Sequence, residues 1–226
     1  MLASLLNLVY PELCITCRRN LLKFENFICL HCEAKLPYSN YHLTNDNPVE
    51  KTFWGRFPFE YAFAFLLFNK KGMAQKLLHQ LKYNNNKELA MHLGKLYGLQ
   101  LKSSNKNFDF NGVIAVPLHI SKLRQRGYNQ SEWFAKGISE SLQIEDFSYI
   151  IKRTIATSTQ TKKSRIERWQ NVADIFELNK PETIYKKHIL LVDDVITTGA
   201  TIEACANTIL KANNTKISIA SIAFAQ

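Results

Sequence analysis

Residues 189–201 read ILLVDDVITTGAT. The run Ile189–Val192 is apolar without alternation, the pattern of a strand buried on both faces of a parallel sheet. It ends in two acids, Asp193 and Asp194, and a Thr- and Gly-containing turn then leads into a helical pattern over Ala200–Ala212. In open α/β sheets ligands collect outside the carboxyl ends of the strands. Backbone N–H groups that open a helix there attract an anion, and threonine hydroxyls add donors. Adjacent carboxylates aimed at a phosphate would repel it, so Asp193 and Asp194 suit sugar hydroxyls or a metal. The ligand these residues describe is a sugar with vicinal hydroxyls and a terminal phosphate. A structural use, with the acids capping the helix and the threonines packing, is the alternative.

Outward from this stretch the same alternation repeats. GVIAVPL at 112–118, HILLV at 188–192 and KISIASIAF at 216–224 read as buried strands, and Phe59–Phe68 as a further strand. Helical spacing appears at Met73–Tyr83 through Leu77, Leu78 and Leu81, at Lys87–Leu101 through Leu89, Leu93, Leu96 and Tyr97, and at Asn129–Leu142. Strands alternating with helices of about ten to fifteen residues predict an α/β fold with a mostly parallel, doubly wound sheet. No GxGxxG or Walker A loop occurs among the eight glycines, which sets aside dinucleotide binding and P-loop chemistry as first choices.

Four of the five cysteines fall near the start, as Cys14-x2-Cys17 and Cys29-x2-Cys32. Two such knuckles complete a tetrahedral thiolate site that suits structural zinc, with no position left open for catalysis. The spacer predicts a hairpin with Leu21, Leu22, Phe24 and Phe27 on its apolar face. His31 is an alternative ligand, and the alternative readings are unrelated buried thiols or two disulfides, the latter disfavoured in a reducing compartment. Cys205 lies alone in an apolar helical pattern and reads as a core thiol. The predicted layout is a helix plus zinc ribbon over 1–36, a linker over 37–56 broken by Pro37 and Pro48, and the α/β domain over 57–226.

The chain of 226 residues is 46% apolar and 21% charged, a globular balance that excludes wholesale disorder. Its net charge of +10 points to an anionic partner, nucleic acid or phosphorylated metabolite. Half of that charge lies in Asn69–Lys87, with Lys70, Lys71, Lys76, Lys82, Lys87 and no acid, and half in Val113–Gln170. The first cluster has no evident use in sugar-phosphate chemistry and reads as a solvated helix face or a DNA-facing surface. Leu2, Leu5, Leu6 and Val9 suit one face of a short helix, but no secretory signal precedes Pro11 and Cys14. The longest uncharged apolar run, Tyr61–Phe68, is too short to cross a bilayer. A cytoplasmic protein without membrane insertion is expected.

Residues 189–201 resemble the phosphoribosyl diphosphate (PRPP) signature of type I phosphoribosyltransferases. The resemblance implies that Asp193 and Asp194 hold the ribose 2′- and 3′-hydroxyls. It also implies that Val195, Thr197, Thr198, Gly199, Ala200 and Thr201 belong to the PRPP site, the last five wrapping the 5′-phosphate. Purine-salvage members carry an Asp at the position of Thr197, so a salvage enzyme is disfavoured. AVPLHISKLRQRGYNQ at 115–130 reads as a cationic loop with Lys122, Arg124 and Arg126, and the basic segment 153–176 as a mobile loop with Lys162, Arg165 and Arg168. Together with the CxxC pairs and LHQLKY at 78–83, the ordered set resembles the ComF family of competence proteins. That resemblance implies a type I phosphoribosyltransferase fold behind a zinc ribbon, PRPP or another 5-phosphoribosyl ligand with magnesium, and work with the DNA-uptake machinery in natural transformation. Arg124, Arg126, Arg165 and Arg168 are then expected to stabilise charge on the leaving pyrophosphate. The competing expectation is a non-catalytic accessory or PRPP sensor that binds single-stranded DNA, with Tyr128, Trp133 and Trp169 as candidate stacking residues. Helical spacing makes Trp133 a core candidate as well.

Overall fold

The computed structural model describes residues 11–154 and 175–225. The helix expected around Leu2, Leu5, Leu6 and Val9, and the expectations for Lys162, Arg165, Arg168 and Trp169, lie outside the described residues. In chain order the elements are α1 (Leu30–Glu33), α2 (Pro48–Phe53), β1 (Leu66–Leu67), α3 (Met73–Tyr83), α4 (Lys87–Ser103), β2 (Gly112–Ala115), α5 (Ile120–Arg126) and α6 (Gln130–Leu142). They continue with β3 (Glu145–Asp146), β4 (Ile151–Arg153), β5 (Phe176–Leu178), β6 (His188–Ile196), α7 (Ala200–Ile209) and β7 (Lys216–Phe224), with short 3-10 turns between.

Five strands make one parallel sheet in the order β1-β7-β6-β2-β3. Both faces are covered, as the unbroken apolar runs require. Along β6, Leu190 and Val192 join Leu77, Leu81, Leu93, Tyr97 and Phe134 of α3, α4 and α6. Ile189 and Leu191 point the other way, onto Ile202, Cys205 and Ile209 of α7 and Val49 and Phe53 of α2. Cys205 is thus a fully buried core thiol. Helices α4 and α6 cross with backbones touching: a Cβ on Gly94 would lie 2.1 Å from the Phe134 carbonyl, and one on Gly137 2.1 Å from that of Met91. No larger residue fits either position without moving a helix.

Three stretches differ from the sequence expectation. Residues 37–56 hold α2, in which Val49 and Phe53 are fully buried. Pro48, read as a breaker, occupies the first helical turn, where its missing N–H costs nothing. Asn47 and Glu50 close a capping box ahead of it. The expected strand Phe59–Phe68 keeps only Leu66–Leu67 as regular ladder, yet the N–H groups of Glu60, Phe63 and Phe65 donate to carbonyls along β7. The loop expected at 115–130 contains helix α5, which buries none of its residues and so shows no apolar periodicity. Strands β4 and β5 pair antiparallel at the two ends of the 153–176 segment.

Candidate functional site

The acid pair lies in β6 near its carboxyl end, and the chain then passes through Thr197, Thr198 and Gly199 into α7. Gly199 has φ +75°, a conformation costly for residues with a Cβ. It is also crowded, since an added Cβ would stand 2.5 Å from Phe53 Cε1. The loop is further held by Arg56, whose Nη1 donates to the Thr198 carbonyl at 2.7 Å and reaches Glu203 at 3.4 Å. Segment 37–56 therefore forms a wall of the site, a role with no sequence signal beyond the capping box. Asp193, Val195, Ile196, Thr197, Thr198, Gly199, Ala200 and Thr201 line one small pocket, and Thr197, Thr198, Ala200 and Thr201 are exposed to an entering ligand.

The two acids differ in surroundings. Oδ1 of Asp193 accepts the Asp194 backbone N–H at 2.8 Å and the Ser131 hydroxyl at 3.1 Å. Burial, and after it the charge of Asp194, push the Asp193 carboxyl up to about 7, against these stabilising bonds. Asp194 instead faces cations: its Oδ2 lies 3.5 Å from Lys82 Nζ on α3 and 3.7 Å from Arg126 Nη1 on α5. The backbone beside Lys82 is fixed from the same turn that carries Arg126. The Leu81 carbonyl accepts Tyr128 Oη at 2.7 Å and Gln130 Nε2 at 3.1 Å.

Of the expected arginines, Arg126 reaches the acid pair, whereas Arg124 is exposed on α5. Tyr128, expected as a stacking residue, is buried with its hydroxyl spent on Leu81. Trp133 packs half-buried against the core with the ammonium groups of Lys87 and Lys136 5.0 and 5.1 Å from its ring. Lys82 departs most from expectation. The lysine cluster around it reads as remote from sugar chemistry, yet the fold delivers this member to Asp194. Sequence reasoning also misses Ser131 and Arg56.

The second site is the cysteine cluster. The sulfurs of Cys14, Cys17, Cys29 and Cys32 lie within 4.8 Å of one another, and His31 is exposed and not among the gathered ligands. A tetrahedron of thiolates at about 2.3 Å from zinc has sulfur–sulfur edges near 3.8 Å. The Cys17–Cys29 separation of 3.7 Å fits that edge and far exceeds a disulfide. Burial, reinforced by the neighbouring thiols, pushes Cys32 up to about 12. Burial also opposes ionisation of Cys14, but hydrogen bonds from Thr16 and backbone N–H groups outweigh it and bring that thiol down to about 6. Such crowded sulfurs suit a divalent cation that neutralises them together. The cluster shares the core of α3 and α4, with Cys14, Ile28, Cys29, Cys32 and Leu36 buried there, and Lys76 Nζ donates to the Thr16 carbonyl at 2.7 Å. Of the expected hairpin face only Leu21 and Phe27 turn toward that core, while Leu22 and Phe24 are exposed.

Residues 113–226 match the family model of the phosphoribosyl transferase domain. Competence protein F of Haemophilus influenzae is 27% identical over 223 residues, 96% of this chain and 93% of its own. The DNA utilization protein YhgH of Escherichia coli O157:H7 is 33% identical over 138 residues, and the match spans 60% of either chain. Competence protein ComFC of Streptococcus pneumoniae is 34% identical over 110 residues, 49% of this chain and 46% of its own. Among the described residues, no helix is long and apolar enough to cross a membrane.

Proposed function

The chain belongs to the phosphoribosyl transferase domain family, and we propose that it is of the ComF type and binds PRPP or another 5-phosphoribosyl ligand across the carboxyl end of β6. The observation that carries this reading is an acid pair placed directly before a threonine-lined helix N-terminus. Asp193 and Asp194 accept the vicinal ribose hydroxyls. Thr197, Thr198 and Thr201, with the backbone of Val195, Gly199 and Ala200, enclose the 5′-phosphate, where the first N–H groups of α7 lack intrahelical acceptors. Thr197, in place of an acid, fits a site not built for a purine base.

Magnesium, the usual companion of a diphosphate, would lower the charge that the protein must meet. The acid pair fits it, since Asp193 and Asp194, adjacent on β6, would offer carboxylates to its water shell. Arg126 stabilises the charge that builds on the pyrophosphate as it leaves, and the expected Arg124, Arg165 and Arg168 belong to the same proposal. The structural metal is zinc on Cys14, Cys17, Cys29 and Cys32. The names of the relatives, competence and DNA utilization, extend the proposal to DNA uptake from the cytoplasmic side.

A second reading, a non-catalytic single-stranded DNA-binding accessory or PRPP sensor, is favoured by a groove between the zinc ribbon and α3. Arg18, Lys71, Lys76 and His79 line it. One titration separates the two: PRPP and magnesium are added by calorimetry with and without single-stranded DNA, at several salt concentrations. Replacing both acids, Asp193→Ala with Asp194→Ala, is expected to abolish magnesium-dependent PRPP binding and to leave zinc content and fold intact. Unchanged affinity in that double variant overturns the first reading. DNA affinity that falls steeply with salt supports backbone contacts.

A further inference from the structure

We propose that Lys82 is a ligand-binding residue of this site, one that selects for the diphosphate arm of the sugar phosphate. The inference rests on the phosphoribosyl reading above and adds a residue that lies outside the PRPP signature, 112 positions before Asp194.

Its geometry is that of a prepared group. Lys82 lies in the last turn of α3 with its side chain only about a quarter exposed, and Arg126 is 15% exposed beside it. Both cations address the same oxygen of Asp194, from 3.5 and 3.7 Å. Those separations exceed a close charge-assisted hydrogen bond, so neither cation is consumed by the carboxylate. Asp194 is one charge against two. The ammonium and guanidinium therefore stand beside the sugar-binding acids without being tied to them.

The chain also uses two buried polar side chains, Tyr128 and Gln130, to hold the carbonyl immediately before Lys82. An ordinary surface lysine needs no such fixing, since a flexible stem pairs wherever it can. The 5′-phosphate end has its own donors in the α7 N–H groups and threonines. The anion left for Lys82 and Arg126 is the one at the other end of the ribose, the diphosphate on C1. When it enters, the Lys82 ammonium turns from Asp194 Oδ2 to a diphosphate oxygen and leaves the carboxylate free to accept a ribose hydroxyl.

The test compares two ligands that differ only in that arm. The full chain and the variants Lys82→Met and Lys82→Arg are titrated with PRPP and with ribose 5-phosphate, both with magnesium. Lys82→Met is expected to lose about ten-fold or more in PRPP affinity while ribose 5-phosphate affinity changes less than about two-fold, with Lys82→Arg restoring most of the loss. Equal losses for both ligands, or no loss, overturn the proposal and leave Lys82 as a partner of Asp194 alone. Acetylation of Lys82 in the unaltered chain, followed by mass spectrometry, needs no variant to fold. It is expected to be slowed by PRPP and not by ribose 5-phosphate, and equal rates with both ligands overturn the proposal. Failure of the unaltered chain to bind PRPP at all counts instead against the phosphoribosyl reading.

Discussion

Replacing Asp193 by Asn is expected to stabilise this protein while disabling its site. In the folded chain burial, then Asp194, raise the carboxyl from 3.8 to about 7. Between those values the unfolded chain has released a proton that the folded chain retains, so rising pH favours unfolding. The stabilising protonated form is fully present below pH 3.8 and is lost as pH climbs through about 7. Some three pH units at 1.36 kcal/mol each set a ceiling of about 4 kcal/mol on the loss. An asparagine carries no such dependence, and its Oδ1 accepts the same two bonds, from the Asp194 N–H and the Ser131 hydroxyl. The stability of the variant relative to the parent is therefore expected to climb from pH 5 to pH 8 by about 3 kcal/mol, which is roughly 6–12 °C in melting temperature for a chain of this size. PRPP affinity should fall in the same variant, because the oxygen is already occupied and the amide offers hydrogens to ligand hydroxyls instead of a second acceptor. Thermal melts at half-unit pH steps make the measurement. A gap between variant and parent that stays constant with pH would refute the burial of charge at Asp193.

Gly199→Ala combines a left-handed backbone with a Cβ pressed on the buried Phe53 ring. It should cost about 2–4 kcal/mol and weaken binding of inorganic phosphate, read by melts and by calorimetry. Cys17→Ser, the exposed member of the cluster, should release zinc in a colorimetric chelator assay and lower the melting temperature, since the other three cysteines belong to the α3–α4 core.

The elements that announced themselves in the sequence are those with enough buried face to impose a period. The stretch 189–201, helices α3 and α4, and the strand 216–224 appear in the structure close to where the pattern places them. Strands β3, β4 and β5, of two or three residues each, are too short to show alternation. Helix α5 has no buried face at all. Helix α2 was legible in principle, through Asn47-Pro48 followed by Glu50, but the density of Asn and Pro around it suggested a linker. The site divides in the same way. Asp193 through Thr201 share one local motif, whereas Ser131, Arg56 and Lys82 arrive from three other elements by tertiary packing alone. The lysine cluster of 70–87 shows why charge counting falls short: Lys76 holds the ribbon, Lys87 sits over Trp133 and Lys82 meets Asp194, three destinations from one basic run.

The contact between Gly94 and Gly137 reaches beyond packing. Helix α6 carries Ser131, the donor to Asp193, six residues before Gly137, or about 9 Å along its axis. Where two helices already rest on each other's peptide groups, nothing compressible lies between them. A single methyl introduced there has nowhere to go except into the position of α6 itself. The spacing of that helix pair thus acts as a ruler for the Ser131 hydroxyl, and variation at Gly137 would be read out at the acids rather than at the crossing where it arose.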